Sequence, residues 1–189
     1  MRRTIIFALL FTGAIAVGLG QTPKDKFKTP NAQSPPKDTS VTINGKEIWI
    51  AYHAPSVRGR TIFGGPSALQ PDDSTWRAGA DQATFLHTDA ALDLKGLAVP
   101  AGEYTLFIAL DKGKWDLIVN KQTGQWGIKR DGSANVDDSK TVGKVAMTMS
   151  KPPALVETLK ISLSSAGGNK GKLQVEWENV VASVPFTVK

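Results

Sequence analysis

Cysteine is absent from the 189 residues. That excludes disulfides, thiolate metal ligands, a cysteine nucleophile and a lipid-carrying cysteine. Histidine is almost absent too, with only His53 and His87. A metal site would need both plus a carboxylate such as Asp81 or Asp89, and nothing in their spacing makes them meet. Each alternates with apolar residues, which fits partly buried strand histidines. There is no Gly-x-Ser-x-Gly elbow, His-Glu-x-x-His helix, phosphate-binding Gly-Lys-Ser/Thr loop or dinucleotide Gly-x-Gly-x-x-Gly turn. No metal or cofactor is therefore expected. Long helical patterns and fixed-period repeats are missing as well. So is a charge field of one sign. The formal net charge is +6, but from Asp38 onward 17 Lys and Arg face 16 Asp and Glu. That near balance offers nucleic acid neither a basic face nor a groove-reading helix.

The one long apolar run is Ile5 to Leu19, behind Arg2 and Arg3. With Gly18 and Gly20 at the −3 and −1 positions of a cut before Gln21, residues 1–20 read as a secretory signal peptide, too short and interrupted for a membrane span. No integral membrane segment is expected after its removal, and the mature chain is expected in the periplasm or outside the cell. Residues 21–38 are rich in proline, lysine and polar side chains and read as a flexible tether.

From residue 39 to residue 189 the apolar period is two. Asn44-Gly45 marks a hairpin, because both residues tolerate positive φ. Lys46 to His53 is apolar on both faces and predicts a covered central strand. Further strands are predicted at Ala83–Thr88, Leu92–Leu94, Tyr104–Leu110, Trp115–Asn120 and Thr141–Met149. Leu159, Ile161 and Leu163, then Leu173, Val175 and Trp177, alternate with polar residues as on an outer sheet face. Pro185 in the last strand calls for an edge or an unpaired position. About nine strands of this spacing predict an all-β domain, a two-sheet antiparallel β-sandwich with a jelly roll as one possible form.

Between Pro55 and Thr84 the pattern breaks into a long loop. Three of the four arginines beyond residue 3 lie here, Arg58, Arg60 and Arg77, while lysine serves elsewhere. Arginine presents a planar fork of five donors that lysine cannot reproduce, so this concentration points to fixed hydrogen-bond geometry. Two readings follow. In one, Arg58, Arg60 and Arg77 offer donors to a polar or anionic small molecule or glycan, with Trp76 as an apolar wall, Asp81 beside them and Trp126, from a second glycine-flanked loop, stacking on a sugar ring. In the other, the arginines pin the loop through Asp72, Asp73, Asp81 and loop carbonyls, with Arg77 the main pin. Asp81 and Glu103 could also serve as a carboxylate pair for glycoside chemistry, given a fixed separation. The function classes left open are a non-catalytic binding domain, a structural or protein-interaction module of the envelope, and a hydrolase or isomerase.

The order Tyr52-x-x-Pro55-x-x-Arg58-Gly59-Arg60-x-Ile62-Phe63-Gly64, then Trp76-Arg77-x-Gly79-Ala80, resembles the bacterial secreted family DUF2911, whose function is not established. The likeness continues through Pro100-Ala101-Gly102-Glu103-Tyr104, Trp115, Asn120-Lys121, Trp126-Gly127 and Trp177-Glu178-Asn179. Where the family typically reads Gly-Ala-Asn-Glu-Ala-Thr, this chain has Gly79-Ala80-Asp81-Gln82-Ala83-Thr84, with acid and amide exchanged. The resemblance implies export and an all-β domain, and it implies no substrate.

Overall fold

A computed structural model describes residues 32–189. The leader expected over 1–20, and the tether as far as residue 31, lie outside the described residues. Strand β1 spans Pro36–Ile43 and β2 Lys46–His53, joined at Asn44 (φ 51°) and Gly45 (φ 73°) by the hairpin their sequence announces. Within the long loop lie three short strands, β3 (Phe63–Gly64), β4 (Gln70–Pro71) and β5 (Thr75–Trp76). Then come β6 (Ala80–Thr88), β7 (Leu92–Leu94), β8 (Leu97–Val99), β9 (Gly102–Asp111) and β10 (Lys114–Asn120). The last five are β11 (Thr141–Ala146), β12 (Thr148–Ser150), β13 (Val156–Ser165), β14 (Lys170–Glu178) and β15 (Val180–Val188). Among the described residues no helix is long and apolar enough to cross a membrane.

Apart from the short parallel pair β3–β4, the strands form a two-sheet antiparallel sandwich. One sheet has the order β1-β2-β6-β9-β10-β11, with β5 also on β9; the other runs β13-β14-β15-β7-β8, with β12 also on β15. Consecutive strands remain in one sheet through β9-β10-β11 and β13-β14-β15, so meanders dominate where a jelly roll would alternate sheets. Period-two burial produces the shared core. Ile48, Ile50, Tyr52, Leu106, Ile108, Leu117 and Val119 face Leu159, Ile161, Val175, Trp177, Ala182 and Val184, all nearly inaccessible to solvent. The Tyr52 hydroxyl crosses the sandwich and accepts from the Ile161 N–H at 3.1 Å. Burial raises that phenol's pKa.

Two details sharpen the sequence reading. β1 starts at Pro36, inside the segment expected to be tether, because Pro36, Lys37 and Asp38 pair with His53, Tyr52 and Ala51. Pro185 lies on β15, an interior strand, where it is exposed; β12 pairs with Val181–Ser183 and β7 with Thr187–Val188. The proline therefore sits in the gap between two short neighbours, where no N–H is wanted.

Candidate functional site

The long loop starts by leaving β2 for the opposite sheet. Leu159 N–H donates to the Pro55 carbonyl at 2.9 Å and Val57 N–H to the Glu157 carbonyl at 2.7 Å, stitching 55–57 onto the edge of β13. At Arg58 (φ 50°) and Gly59 (φ 70°) the backbone is left-handed, and the Arg58 N–H donates to Glu157 Oε1 at 2.9 Å. The loop is then held from the β14–β15 turn. Glu178 accepts from the Ile62 N–H at 3.0 Å and, through its other oxygen, from the Phe63 N–H at 3.4 Å. This brings the Phe63 ring into an aromatic cluster, 4.6 Å from Trp115, 5.5 Å from Trp76 and 5.7 Å from Trp177 between centroids. Further on, Trp76 Nε1 donates to the Gly79 carbonyl at 3.1 Å and Thr84 Oγ1 to the Ala78 carbonyl at 2.9 Å.

A second loop, residues 121–140, covers part of the outer face of the first sheet. Buried Asn120 secures its base: the side-chain carbonyl accepts from the Gln122 N–H at 2.8 Å, while Nδ2 donates to the Asp137 carbonyl at 2.9 Å. Ala134 and Val136 pack on Ala83, Phe107 and Ile118. The two loops meet at Arg77, whose Nη1 donates to the Trp126 carbonyl at 2.9 Å and whose guanidinium carbon lies 5.3 Å from the Trp126 ring centroid.

Between segments 55–80 and 128–138 lies a cleft of about 900 Å³, bordered by all three arginines and by Lys129, Asp73 and Asp138. The structure thus brings Arg58, Arg60 and Arg77 to one place. Arg58 Nη2 donates to the Gln33 carbonyl at 3.2 Å; Arg60 donates through Nε to the Val57 carbonyl at 3.1 Å and through Nη2 to the Ser56 carbonyl at 2.7 Å. The ion pairs among the described residues are His87–Asp89, Lys140–Asp137, Lys160–Glu176 and Lys189–Asp93, and none contains an arginine. The expectation that Asp72, Asp73 or Asp81 would pin the loop by pairing with arginine is corrected on this point. The pins are backbone carbonyls, and the carboxylates of Glu157 and Glu178 hold loop N–H groups instead.

The other expected site residues divide. Trp76 borders the cleft but is 2 % exposed, so its ring is core and not an open wall. Trp126, 56 % exposed, is outside the cleft lining and adjoins it through Arg77, which its carbonyl and ring both contact. Asp81 is also outside the lining. Its backbone is left-handed (φ 53°) and its Oδ2 is buried without a hydrogen-bond partner. Burial lowers the pKa of Arg77, with nearby Asp81 partly restoring it. The same burial lowers His53, which Asp81 raises and Arg77 lowers in turn, so the imidazole is neutral at pH 7 and adds no cation. Glu103 pairs in register with His87, six residues along β6 from Asp81. Between the two, β6 is irregular, since the five steps from 80 to 85 lie against only two of β2, from 51 to 53, and neither carboxylate borders the cleft. Among the described residues no three His, Asp or Glu side chains gather as a metal site.

Sequence reasoning missed Glu178, Lys129 and Asp138. Glu178 alone had a mark, as part of Trp177-Glu178-Asn179. Lys129 and Asp138 sit in a polar loop where every residue has the same surface character. A family model described as a protein of unknown function, DUF2911, matches residues 34–186. No curated protein and no solved structure matches.

Proposed function

Since the chain belongs to the DUF2911 family of proteins of unknown function, whose name carries no activity, we propose from the site itself that it is an exported, non-catalytic domain that binds a polar, anionic small molecule or glycan in the arginine-lined cleft. The observation that carries this reading is the set of three arginines that border the cleft, none of which forms an ion pair among the described residues. Each is oriented by one or two carbonyls, which use part of its five donors and none of its charge. Lys129 adds a fourth cation to the lining. An anion arriving there meets oriented donors and breaks no ion pair, so charge-assisted bonds form at little reorganisation cost. Trp177 also borders the cleft, and its buried Nε1 has no acceptor. At 1 % exposure, however, that ring belongs to the core, as Trp76 does.

Two measurements test the two halves of the proposal. Titration calorimetry at low salt with citrate and inorganic phosphate is expected to show binding that weakens as salt is raised. Arg58→Gln and Arg60→Gln should each reduce it by about tenfold or more, the worth of a charge-assisted bond. Affinity unchanged in the double variant, or no binding of either anion, rejects the cleft and favours the envelope-module reading. Export rests on the leader composition of residues 1–20. N-terminal sequencing of the mature protein should begin near Gln21; an intact Met1 on a cytosolic protein rules export out.

A further inference from the structure

Resting on the anion-binding reading of the same cleft, the geometry points to an acidic oligosaccharide as its ligand: pyranose rings carrying carboxylate or sulfate, with the acid on the arginines and one ring against Trp126. We infer this from three features that a site for a simple anion does not need. First, the lining is of mixed sign. Asp73 and Asp138 border the cleft with Arg58, Arg60, Arg77 and Lys129. Carboxylates repel a compact polyanion such as a polyphosphate, yet they accept from sugar hydroxyls, so the mixture suits a ligand that bears both acid groups and hydroxyls. Second, the cleft is large. At about 900 Å³ it lies at the upper end of the range for small-molecule sites, far more than a lone carboxylate or phosphate fills.

The third feature is Trp126. A tryptophan 56 % exposed is costly to leave in water, and this one is held by its own carbonyl on Arg77 Nη1. The Arg77 guanidinium lies 5.3 Å from the ring centroid. The exposed part of the indole can take the C–H surface of a pyranose, which packs on an aromatic ring as other apolar faces do. Leu69, 44 % exposed, adds an apolar residue to the cleft lining. A ligand with an apolar ring face, an acid and hydroxyls therefore matches every type of group the cleft and its rim present.

The test is calorimetry with four probes at one salt concentration: a tetrameric oligogalacturonate, a sulfated tetrasaccharide of the chondroitin type, the neutral maltotetraose, and citrate. At least one acidic tetrasaccharide is expected to bind about tenfold or more tighter than citrate, with maltotetraose weaker still by a comparable factor. Trp126→Ala should weaken the acidic tetrasaccharide by about fivefold to tenfold and leave citrate unchanged, whereas Arg60→Gln should weaken both. Trp126→Phe keeps a stacking face and should recover most of the loss. Which acidic probe binds tells carboxylate from sulfate. If citrate binds as tightly as the better of the two acidic tetrasaccharides, or if Trp126→Ala changes neither that probe nor citrate, the oligosaccharide is wrong while the anion site stands. If no anionic probe binds at all, both fall.

Discussion

Gly127→Ala is expected to destabilise the protein by about 3 kcal/mol and to detach the 121–140 loop from Arg77. Gly127 sits at φ 87°, where an L side chain costs ~1–2 kcal/mol. A Cβ placed there would lie 2.8 Å from the Ala83 Cβ and 3.0 Å from the Arg77 Cβ. Neither atom is the free end of a flexible chain: Ala83 is buried in β6, and the Arg77 Cβ is fixed by its backbone. Overpacking of this kind adds ~1–3 kcal/mol. The comparison is Gly124→Ala, three residues earlier, with φ 74° and nothing within 4 Å of its added methyl. Denaturant melting should show the Gly124 variant losing only the backbone term, about 1–2 kcal/mol. Equal losses at the two positions would mean that the loop does not pack on Arg77 as described.

Comparable in size is the expected effect of Glu178→Ala, a loss of about 3 kcal/mol together with weaker anion binding. The Glu178 carboxylate accepts the N–H groups of Ile62 and Phe63. Hydrogen bonds to a charged group contribute ~1.5–3 kcal/mol, and the 3.4 Å bond belongs at the low end. Alanine also keeps the left-handed backbone at that position (φ 53°) while removing its compensation. Without the clamp the segment that carries Arg58 and Arg60 is less well fixed, and Phe63 loses its seat among Trp76, Trp115 and Trp177. Glu178→Gln retains one acceptor oxygen and should fall between alanine and the native protein. An alanine variant within ~0.5 kcal/mol of the native protein, the range of ordinary surface substitutions, would show that the clamp contributes nothing.

The sandwich was legible because its signals are local and repeated. Asn44-Gly45 reported its turn, the alternation through Leu159–Leu163 and Leu173–Trp177 reported a one-sided sheet, and Pro185 reported a missing neighbour. The start of β1 was not legible. Pro36, Lys37 and Asp38 have a tether's composition, and what makes them a strand is the backbone of Ala51–His53 lying alongside. At the site, the gathering of arginines could be read from their count, and the structure does bring the three into one cleft. Of the expected partners, Asp72, Asp73, Asp81 and loop carbonyls, the carbonyls are the ones used, and which carbonyls could not be read because a carbonyl leaves no residue type behind. Trp177 alternates with polar neighbours in its strand, and it is buried as that pattern implies. Trp76 lies on a two-residue strand, too short to show a period, and its burial comes from β9, Phe63 and Trp177.

Holding charged side chains by main-chain oxygens has a consequence for how such a site is inherited. A salt bridge ties the fate of two codons together, since losing one member strands the other. The oxygens that orient Arg58, Arg60 and Arg77 come from Gln33, Ser56, Val57 and Trp126, and each is present whatever side chain its residue carries. Substitution at Gln33 or Ser56 leaves the acceptor in place as long as the chain keeps its course. The arginines therefore have no compensating acidic partners to drift with them, and the neighbouring surface is free to diversify around a constant charge arrangement. Across such a family, selection would fall on the glycines and carboxylates that set the path of the chain, and the chemistry of the ligand could change through residues that hold nothing up.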